Sequence, residues 1–191
     1  NLRHALERDE FLLHYQPKAS LVTREITGFE ALLRWSAGGQ KLVPPGEFVP
    51  LLEDTGLIVP VGEWIIEAAC RQLGAWRAAG VRMVPIAINL SARQFREKNL
   101  AAVFERILRS HGVDPRLLEI EITESSLMTN TDEAVRTLNH LKSLGLRLSV
   151  DDFGTGYSSL AYLRRFPLDT LKIDRSFVNE EIGRASCRER V

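Results

Sequence analysis

Six short segments rich in β-forming residues recur along the chain, and the alternation of polar and apolar residues within most of them is the feature that most limits the fold. Successive side chains of a strand point to opposite faces of a sheet. In the fourth segment, Glu119 and Glu121 alternate with Ile120, so one face is charged and the other apolar. The predicted strands are Phe11–Gln16, Ile26–Trp35, Val84–Leu90, Leu117–Thr123, Leu146–Asp151 and Thr170–Asp174.

Helical patterns lie between most of these strands. Strands that alternate with helices predict an α/β fold with a mainly parallel sheet, although the first two strands could pair antiparallel through the short link at residues 18–25. The segment Ser36–Pro50 holds three glycines and three prolines, which predicts a long loop. The predicted helices are Val61–Ala79, Leu100–Ser110, Thr131–Leu144 and Tyr157–Arg165.

The charged strand face distinguishes a barrel from a doubly wound sheet. Helices that cover both faces of a sheet require both faces to be apolar. A barrel instead turns one strand face toward a shared interior, and its chemistry lies at the carboxyl ends of the strands. The acidic residues of this sequence concentrate at those ends. We therefore predict a barrel.

Composition limits the possible partners. The chain has 191 residues, 45% of them hydrophobic and 26% charged, which is typical of one globular domain. Its 25 basic and 25 acidic residues cancel, so bulk charge gives no reason to expect a nucleic-acid polymer or an anionic membrane as a partner. No apolar stretch approaches the ~20 residues of a membrane-spanning helix. Two cysteines, Cys70 and Cys187, give no disulfide framework, which predicts a cytoplasmic location, and we expect Cys70 to be a small buried hydrophobe.

Oxygen-bearing side chains lie at or near the carboxyl ends of four predicted strands; they are Glu30, Asn89, Glu121, Asp151 and Asp152. Crowded carboxylates repel unless cations neutralise them, and hard oxygen donors suit Mg²⁺ or Mn²⁺. The adjacent Asp151 and Asp152 favour two metal ions that activate water for attack on a phosphate. Lys172 could orient that water, or could form a structural pair with Asp174, and Arg34 could fork onto a phosphate.

Five ordered motifs resemble the EAL family of bacterial cyclic di-GMP phosphodiesterases. They are FEALLRW (Phe29–Trp35), INLS (Ile88–Ser91), EITES (Glu121–Ser125), DDFGTGYSSL (Asp151–Leu160) and LKIDRSF (Leu171–Phe177), with YQP (Tyr15–Pro17) before them. The resemblance covers essentially residues 2–179. It implies a modified TIM (β/α)8-type barrel that hydrolyses cyclic di-GMP to linear pGpG with two Mg²⁺ or Mn²⁺ ions and a water nucleophile.

The resemblance also implies residue roles. Glu30, Asn89, Glu121 and Asp151 match the ligands of the first metal; Asp151 would bridge and Asp152 would bind the second ion. Lys172 matches the family's catalytic lysine, and Asp174 lies in the same site. Glu124 matches a glutamate that steadies the loop after the fifth strand. The positions that match substrate contacts are Gln16, Leu32 and Arg34.

The sequence departs from the family pattern at its end. The family continues with strands that carry an EGVE-type motif and a QG motif, and neither motif occurs here. About six of the eight barrel strands are therefore expected, within a partial EAL domain at residues 1–180. Residues 181–191 resemble the translation of a sequencing adapter rather than native sequence. We expect the chain by itself to be inactive or nearly so, and its parent to be an active phosphodiesterase with an upstream GGDEF or sensory domain and a possible homodimeric state.

Two other functions compete with this interpretation. A non-catalytic EAL module would bind cyclic di-GMP and relay the signal to a partner, but such modules usually lose the metal-binding acids that this sequence keeps. An acid/base hydrolase such as a glycosidase would need only two carboxylates. The additional acids, together with Asn89 and Lys172, disfavour that second alternative.

Overall fold

The alternating segments form one seven-stranded sheet in this computed structural model, which describes residues 2–39, 41–154 and 163–174. Along the sheet the strand order is β1-β2-β4-β5-β6-β7, and β3 pairs with β2. The strands are β1 (Phe11–Ala19), β2 (Ile26–Ala37), β3 (Lys41–Val43), β4 (Ile86–Leu90), β5 (Leu118–Thr123), β6 (Arg147–Phe153) and β7 (Thr170–Ile173). All six predicted strands are present.

Strand directions follow the prediction. Strands β2, β4, β5, β6 and β7 run parallel in sequence order, as connections through helices require. Strand β1 pairs antiparallel with β2 through a short turn, which confirms the alternative raised for the first two strands. Among the described residues, β1 and β7 form the two edges of the sheet.

Helices cover the apolar face of the sheet. They are α1 (Pro45–Thr55), α2 (Ile58–Ala78), α3 (Ala92–Phe95), α4 (Leu100–His111), α5 (Glu124–Met128) and α6 (Thr131–Ser143), and short 3-10 helices lie at Leu2–His4 and Pro115–Leu117. Trp76 of α2 packs on Tyr15 and Phe29, which point outward from β1 and β2. Ile120 of β5 and Leu148 of β6 are fully buried in the same core. Most of the predicted helix Tyr157–Arg165 lies outside the described residues.

The prediction of a long loop at Ser36–Pro50 is wrong. Strand β2 continues to Ala37, and β3 pairs back onto it so that Trp35 faces Val43. Gly38 and Gly39 form the turn between these strands with φ angles of 61° and 73°, which glycine adopts without strain. Helix α1 then begins at Pro45 and contains Pro50. Gly38 and Gly39 therefore mark a tight turn, and Pro44 and Pro45 mark a helix start.

Curvature of the sheet brings its inner face together. Lys172 of β7 lies 3.4 Å from Glu30 of β2, measured from Nζ to Oε2, although three strands separate them. On a flat sheet, four strand spacings would place β2 and β7 about 19 Å apart. A lysine and a glutamate cannot span that distance, so the sheet curls around an interior lined by its charged face.

Two further predictions concern single features. Cys70 is buried and burial raises the pKa of its thiol to about 11, which confirms it as a core residue rather than a reactive thiol; Cys187 lies outside the described residues. In the ranges that the structure covers, no helix combines the length and apolar character needed to cross a bilayer.

Asp169, directly before β7, forms hydrogen bonds with β6 and α6. Its backbone N–H donates to the Leu148 carbonyl at 2.9 Å, and its Oδ2 accepts from the Leu148 N–H at 2.8 Å. Lys142 of α6 donates to the same carboxylate at 2.5 Å. Burial alone would raise the pKa of Asp169, but the hydrogen bonds from Lys142 and Leu148 outweigh burial and lower it.

We expect Asp169→Asn to lower the free energy of unfolding by about 1 kcal/mol at pH 7, because it removes an ionic hydrogen bond. A folded-state pKa below the unfolded value of about 3.9 stabilises the fold above that pH, and this contribution is lost as the pH falls through the folded pKa. Urea unfolding at pH 7 and at pH 3 should therefore show a deficit that shrinks in acid. The control is Asp132→Asn, which breaks an exposed pair with Arg165 and should cost less than about 0.5 kcal/mol. An equal deficit at both pH values would contradict the assignment.

Candidate active site

The proposed ligands of the first metal ion occupy one staggered row on the inner face. Glu30 is level with Ala87 of β4, so Asn89 lies two residues further along that strand. Asn89 is level with Glu121, which in turn is level with Ser149, two residues before Asp151. From one strand to the next, the ligand is either level with its neighbour or two residues further along. Residues two apart on a strand point to the same face, so all four side chains point inward. The stagger follows the tilt of barrel strands and brings the four side chains toward one another.

Lys172 lies at the centre of this row. Its Nζ donates to Glu121 Oε2 and Asp151 Oδ2 at 2.8 Å each, and to Glu30 Oε2 at 3.4 Å. Asn89 Nδ2 donates to Glu30 Oε1 at 2.9 Å, which leaves the amide oxygen of Asn89 as an acceptor. Three carboxylates from three strands thus share one ammonium group, and negative charge remains in excess.

Glu121 carries the most deeply buried carboxylate of the row. The residue is 1% exposed, and burial raises its pKa, while Lys172 acts in the opposite direction. Burial alone would lower the pKa of Lys172, but its hydrogen bonds to Asp151 and Glu121 raise it above the usual value. Both pKa values therefore rise, for different reasons. Burial of Glu121 favours its neutral form, whereas Lys172 is partly exposed and its three acidic neighbours favour its charged form. The surrounding acids therefore favour the charged form of Lys172.

A β-bulge in β6 places two adjacent aspartates in the site. Val150 pairs with Leu171 and Phe153 pairs with Ile173, so Asp151 and Asp152 together oppose Lys172. Asp152 has a φ angle of 54°, in the left-handed region that aspartate tolerates better than most residues. In a regular strand the two side chains would point to opposite faces, and the bulge re-aims one of them.

Asp152 lies among the other charges of the site. Burial, Asp151 and Asp174 raise the pKa of Asp152, and Lys172 acts against them. Its backbone N–H donates to Asp151 Oδ1 at 2.9 Å. The two aspartates and Asp174 are therefore close enough to repel one another, as expected where a cation is to be held.

Glu124 fixes the turn that follows this bulge. It begins α5, is 3% exposed, and its Oε2 accepts the Gly154 N–H at 2.9 Å. The contact joins the carboxyl ends of β5 and β6, and the loop-steadying role of Glu124 stays a prediction. The rest of the DDFGTGYSSL motif, residues 155–160, lies outside the described residues.

The predicted substrate-contacting residues lie on the two strands next to the acids. Gln16 is exposed on β1 opposite Glu30, and Leu32 is half-buried on the same inward face. Arg34 Nη1 donates to the Leu33 carbonyl at 2.9 Å. Asp174 follows β7, and its N–H donates to the Phe153 carbonyl at 3.2 Å.

The donor chemistry of this cluster fits a divalent cation. Carboxylate and amide oxygens from separate strands converge on a position already taken by a positive group, and hard cations prefer such oxygens. Within the described ranges, no three Asp, Glu, His or Cys side chains form a group that could hold a metal ion in this side-chain arrangement. Lys172 lies between the acids instead, so a metal ion would have to displace its ammonium group.

Two inner-face residues of the site were missed in the sequence. Lys18 of β1 donates to Glu119 Oε1 at 3.0 Å and to Glu121 Oε1 at 3.4 Å. Glu119 is 4% exposed, one inward position before Glu121. The alternation of β5 already placed Glu119 on the charged face, but nothing in the sequence indicated that Lys18 would reach it across two intervening strands.

Comparison with known proteins identifies the class. The family model of the EAL domain matches residues 1–190. The bifunctional diguanylate cyclase/cyclic di-GMP phosphodiesterase MucR of Pseudomonas aeruginosa is 47% identical over 180 residues, and the cyclic di-GMP phosphodiesterase PdeR of Escherichia coli is 39% identical over 180 residues. Each alignment covers 94% of this chain but only 26% and 27% of those proteins, so the chain spans about a quarter of their length.

A solved structure of the PaMucR phosphodiesterase in complex with c-di-GMP superposes with a TM-score of 0.89 at 47% identity, over 95% of this chain and 73% of that one. The chain belongs to the EAL domain family. Its fold is that of these TIM-barrel-like domains, which confirms the predicted fold class; the described strands form an unclosed sheet.

Ser149 allows a test of the interior below the acids. Its Oγ is the one buried side-chain polar atom without a hydrogen-bond partner in the described part of the chain. Ser149→Ala should therefore leave the free energy of unfolding within about 1 kcal/mol of wild type or raise it, because an unsatisfied hydroxyl is removed. Ser126 is a matched control, since its Oγ pairs with Thr123 Oγ1 at 2.7 Å, and Ser126→Ala should cost about 1 kcal/mol. The reverse order of stabilities in urea unfolding would show that Ser149 has a partner.

Proposed function

We propose that this chain forms most of the catalytic centre of a cyclic di-GMP phosphodiesterase, which hydrolyses the cyclic dinucleotide to linear pGpG. The observation that carries the proposal is the convergence of Glu30, Glu121 and Asp151, from three strands, around one cation position. Families that share a fold can differ in activity, so this site rather than the fold supports the reaction. MucR and PdeR, with which the chain aligns over the same region, are both named as cyclic di-GMP phosphodiesterases.

The proposed metal ions are Mg²⁺ or Mn²⁺. Glu30, Asn89, Glu121 and Asp151 would hold the first ion, and Asp151 and Asp152 would contribute to the second. Such ions neutralise the phosphodiester and lower the pKa of a bound water molecule. Their binding would relieve the repulsion among acids that now share one ammonium group.

The protein's own residues would orient the reaction. Water adds to one phosphorus atom, the bond from that phosphorus to the ribose 3′ oxygen breaks, and a proton passes to the departing oxygen. Lys172, whose ammonium group lies among the acids, would hold the attacking water or a phosphate oxygen. Glu124 would keep the turn at Gly154 in place, and Arg34 would fork onto a phosphate.

The second candidate is a non-catalytic EAL module that binds cyclic di-GMP. The retained acids disfavour it, because binding a dianionic ligand does not need a cluster of carboxylates. Four predictions stay open: a cytoplasmic location, an upstream GGDEF or sensory domain, a homodimer, and a foreign origin of residues 181–191. Residues 181–191 lie outside the described ranges.

We expect Glu121→Gln in the complete domain to lower the rate of cyclic di-GMP hydrolysis by about 100-fold or more, because a metal ligand loses its charge. Chromatographic separation of cyclic di-GMP from pGpG measures the rate, in Mg²⁺ or Mn²⁺ and again with chelator. Glu105→Gln is the matched control and should retain wild-type activity, since Glu105 pairs with Arg109 on the surface of α4, away from the site.

The 191-residue chain alone should show little or no turnover, because the EGVE-type and QG motifs do not occur in it. Metal-dependent hydrolysis by this chain would refute that expectation.

Tight binding of cyclic di-GMP by the complete domain without hydrolysis in either metal would instead favour the non-catalytic candidate.

A further inference from the structure

The carboxylate of Glu121 is held by two lysines, one on each oxygen. Lys172 of β7 donates to Oε2 at 2.8 Å, and Lys18 of β1 donates to Oε1 at 3.4 Å. The two ammonium groups approach from opposite edges of the described sheet and act on a side chain that solvent does not reach. The two oxygens of this glutamate are therefore not equivalent.

Gly28 lies beside the Lys18 side chain on the neighbouring strand. Lys18 and Gly28 face each other across β1 and β2, and a Cβ atom on Gly28 would lie 3.4 Å from Lys18 Cε and 3.0 Å from the Pro85 carbonyl oxygen. The tight contact of such an atom would be with the Pro85 carbonyl oxygen, whereas 3.4 Å from Lys18 Cε is ordinary van der Waals contact. The glycine at position 28 is therefore required by the Pro85 backbone rather than by Lys18.

Lys18 also neutralises part of the negative charge of two neighbouring acids on β5. Glu119 and Glu121 lie two residues apart on the same face, 4% and 1% exposed, and would repel each other without a cation. Lys18 Nζ bridges them at 3.0 Å and 3.4 Å, and Arg147 approaches Glu119 only at 4.0 Å. Lys18 is therefore the cation that the two acids of β5 share, with its shorter contact on Glu119.

The lysine on Oε1 restricts how Glu121 can bind a metal ion. A bidentate carboxylate places both oxygens on one ion, which is common for Ca²⁺ with its six to eight ligands at 2.3–2.6 Å. Mg²⁺ requires near-octahedral geometry and shorter bonds, to which one oxygen from each carboxylate is suited. With Oε1 committed to Lys18, only Oε2 faces the position that Lys172 occupies.

We propose that Lys18 is a specificity-determining positioning residue, which holds Glu121 as a one-oxygen ligand and so selects small octahedral cations over Ca²⁺. This inference rests on the proposed role of Glu121 as a metal ligand. Lys18 touches neither the ion nor the substrate in this assignment, and acts only through Glu121.

The test compares Ca²⁺ with Mn²⁺ binding to the full 191-residue chain. Free Mn²⁺ is followed by electron paramagnetic resonance while Ca²⁺ competes, and calorimetry gives each association constant. The ratio of the two constants isolates ligand geometry, because loss of one positive charge strengthens the binding of both divalent ions alike. Lys18→Met should raise the Ca²⁺/Mn²⁺ ratio by about tenfold, since it frees Oε1 for bidentate binding.

Three further variants separate geometry from charge and folding. Lys18→Arg keeps a cationic donor and should restore the wild-type ratio, and Lys98→Met removes an exposed lysine outside the site and should not change it. Glu119→Gln weakens the competing partner of Lys18, so the ratio should fall or stay the same. This opposite direction tests the inference even if Lys18→Met does not fold.

The outcomes distinguish the inference from the proposed function. A wild-type chain that binds both ions, with a ratio unchanged in a folded Lys18→Met, would overturn the role of Lys18 and leave the metal site intact. A ratio that rises in Glu119→Gln would also overturn it. Absence of any divalent-ion binding by the wild-type chain would overturn this inference, whereas the proposed function is tested separately by hydrolysis in the complete domain.

Discussion

The buried carboxylate of Glu121 is the constraint on which the rest of the site depends. A charge removed from water is costly unless opposite charges and hydrogen bonds compensate it, and both compensating lysines come from distant strands. Lys18 and Lys172 can meet on one glutamate only if the sheet curls. The curvature that makes a barrel and the ion pairs that allow a charged interior therefore require each other.

The same interior explains why the helices lie where they do. Alternation turns Ile120, Leu148 and their neighbours outward, and α2, α4 and α6 cover that apolar face. In the strands that the structure describes, charged and polar side chains rather than a continuous apolar layer line the inward face. The acids lie in a staggered row, and their total negative charge exceeds the positive charge of Lys172 and Lys18. This excess is suited to binding cations and, through them, a phosphodiester.

Local departures from regular strand geometry lie where the chemistry is proposed. The bulge at Asp151 and Asp152, with the positive φ of Asp152, breaks the alternation that the rest of β6 obeys. It brings two adjacent carboxylates to one side, which a regular strand cannot do. Glu124 then fixes the backbone directly after the bulge through Gly154. Rigid strands carry the first set of proposed ligands, and a strained junction carries the additional one.

Much of this architecture could be predicted from the sequence because side-chain alternation is a local property. The period of two assigned Glu30, Glu121, Asp151 and Lys172 to one face, and the order of strands and helices indicated a parallel sheet. The interpretation of Ser36–Pro50 as a loop failed because glycine and proline also form tight turns and helix starts, and only pairing partners distinguish these uses. Tertiary structure alone decided which inward side chains meet: the contact of Lys18 with Glu119 and Glu121, the bulge at Asp152 and the central position of Lys172 depend on curvature and register, which arise from the packing of strands far apart in the chain.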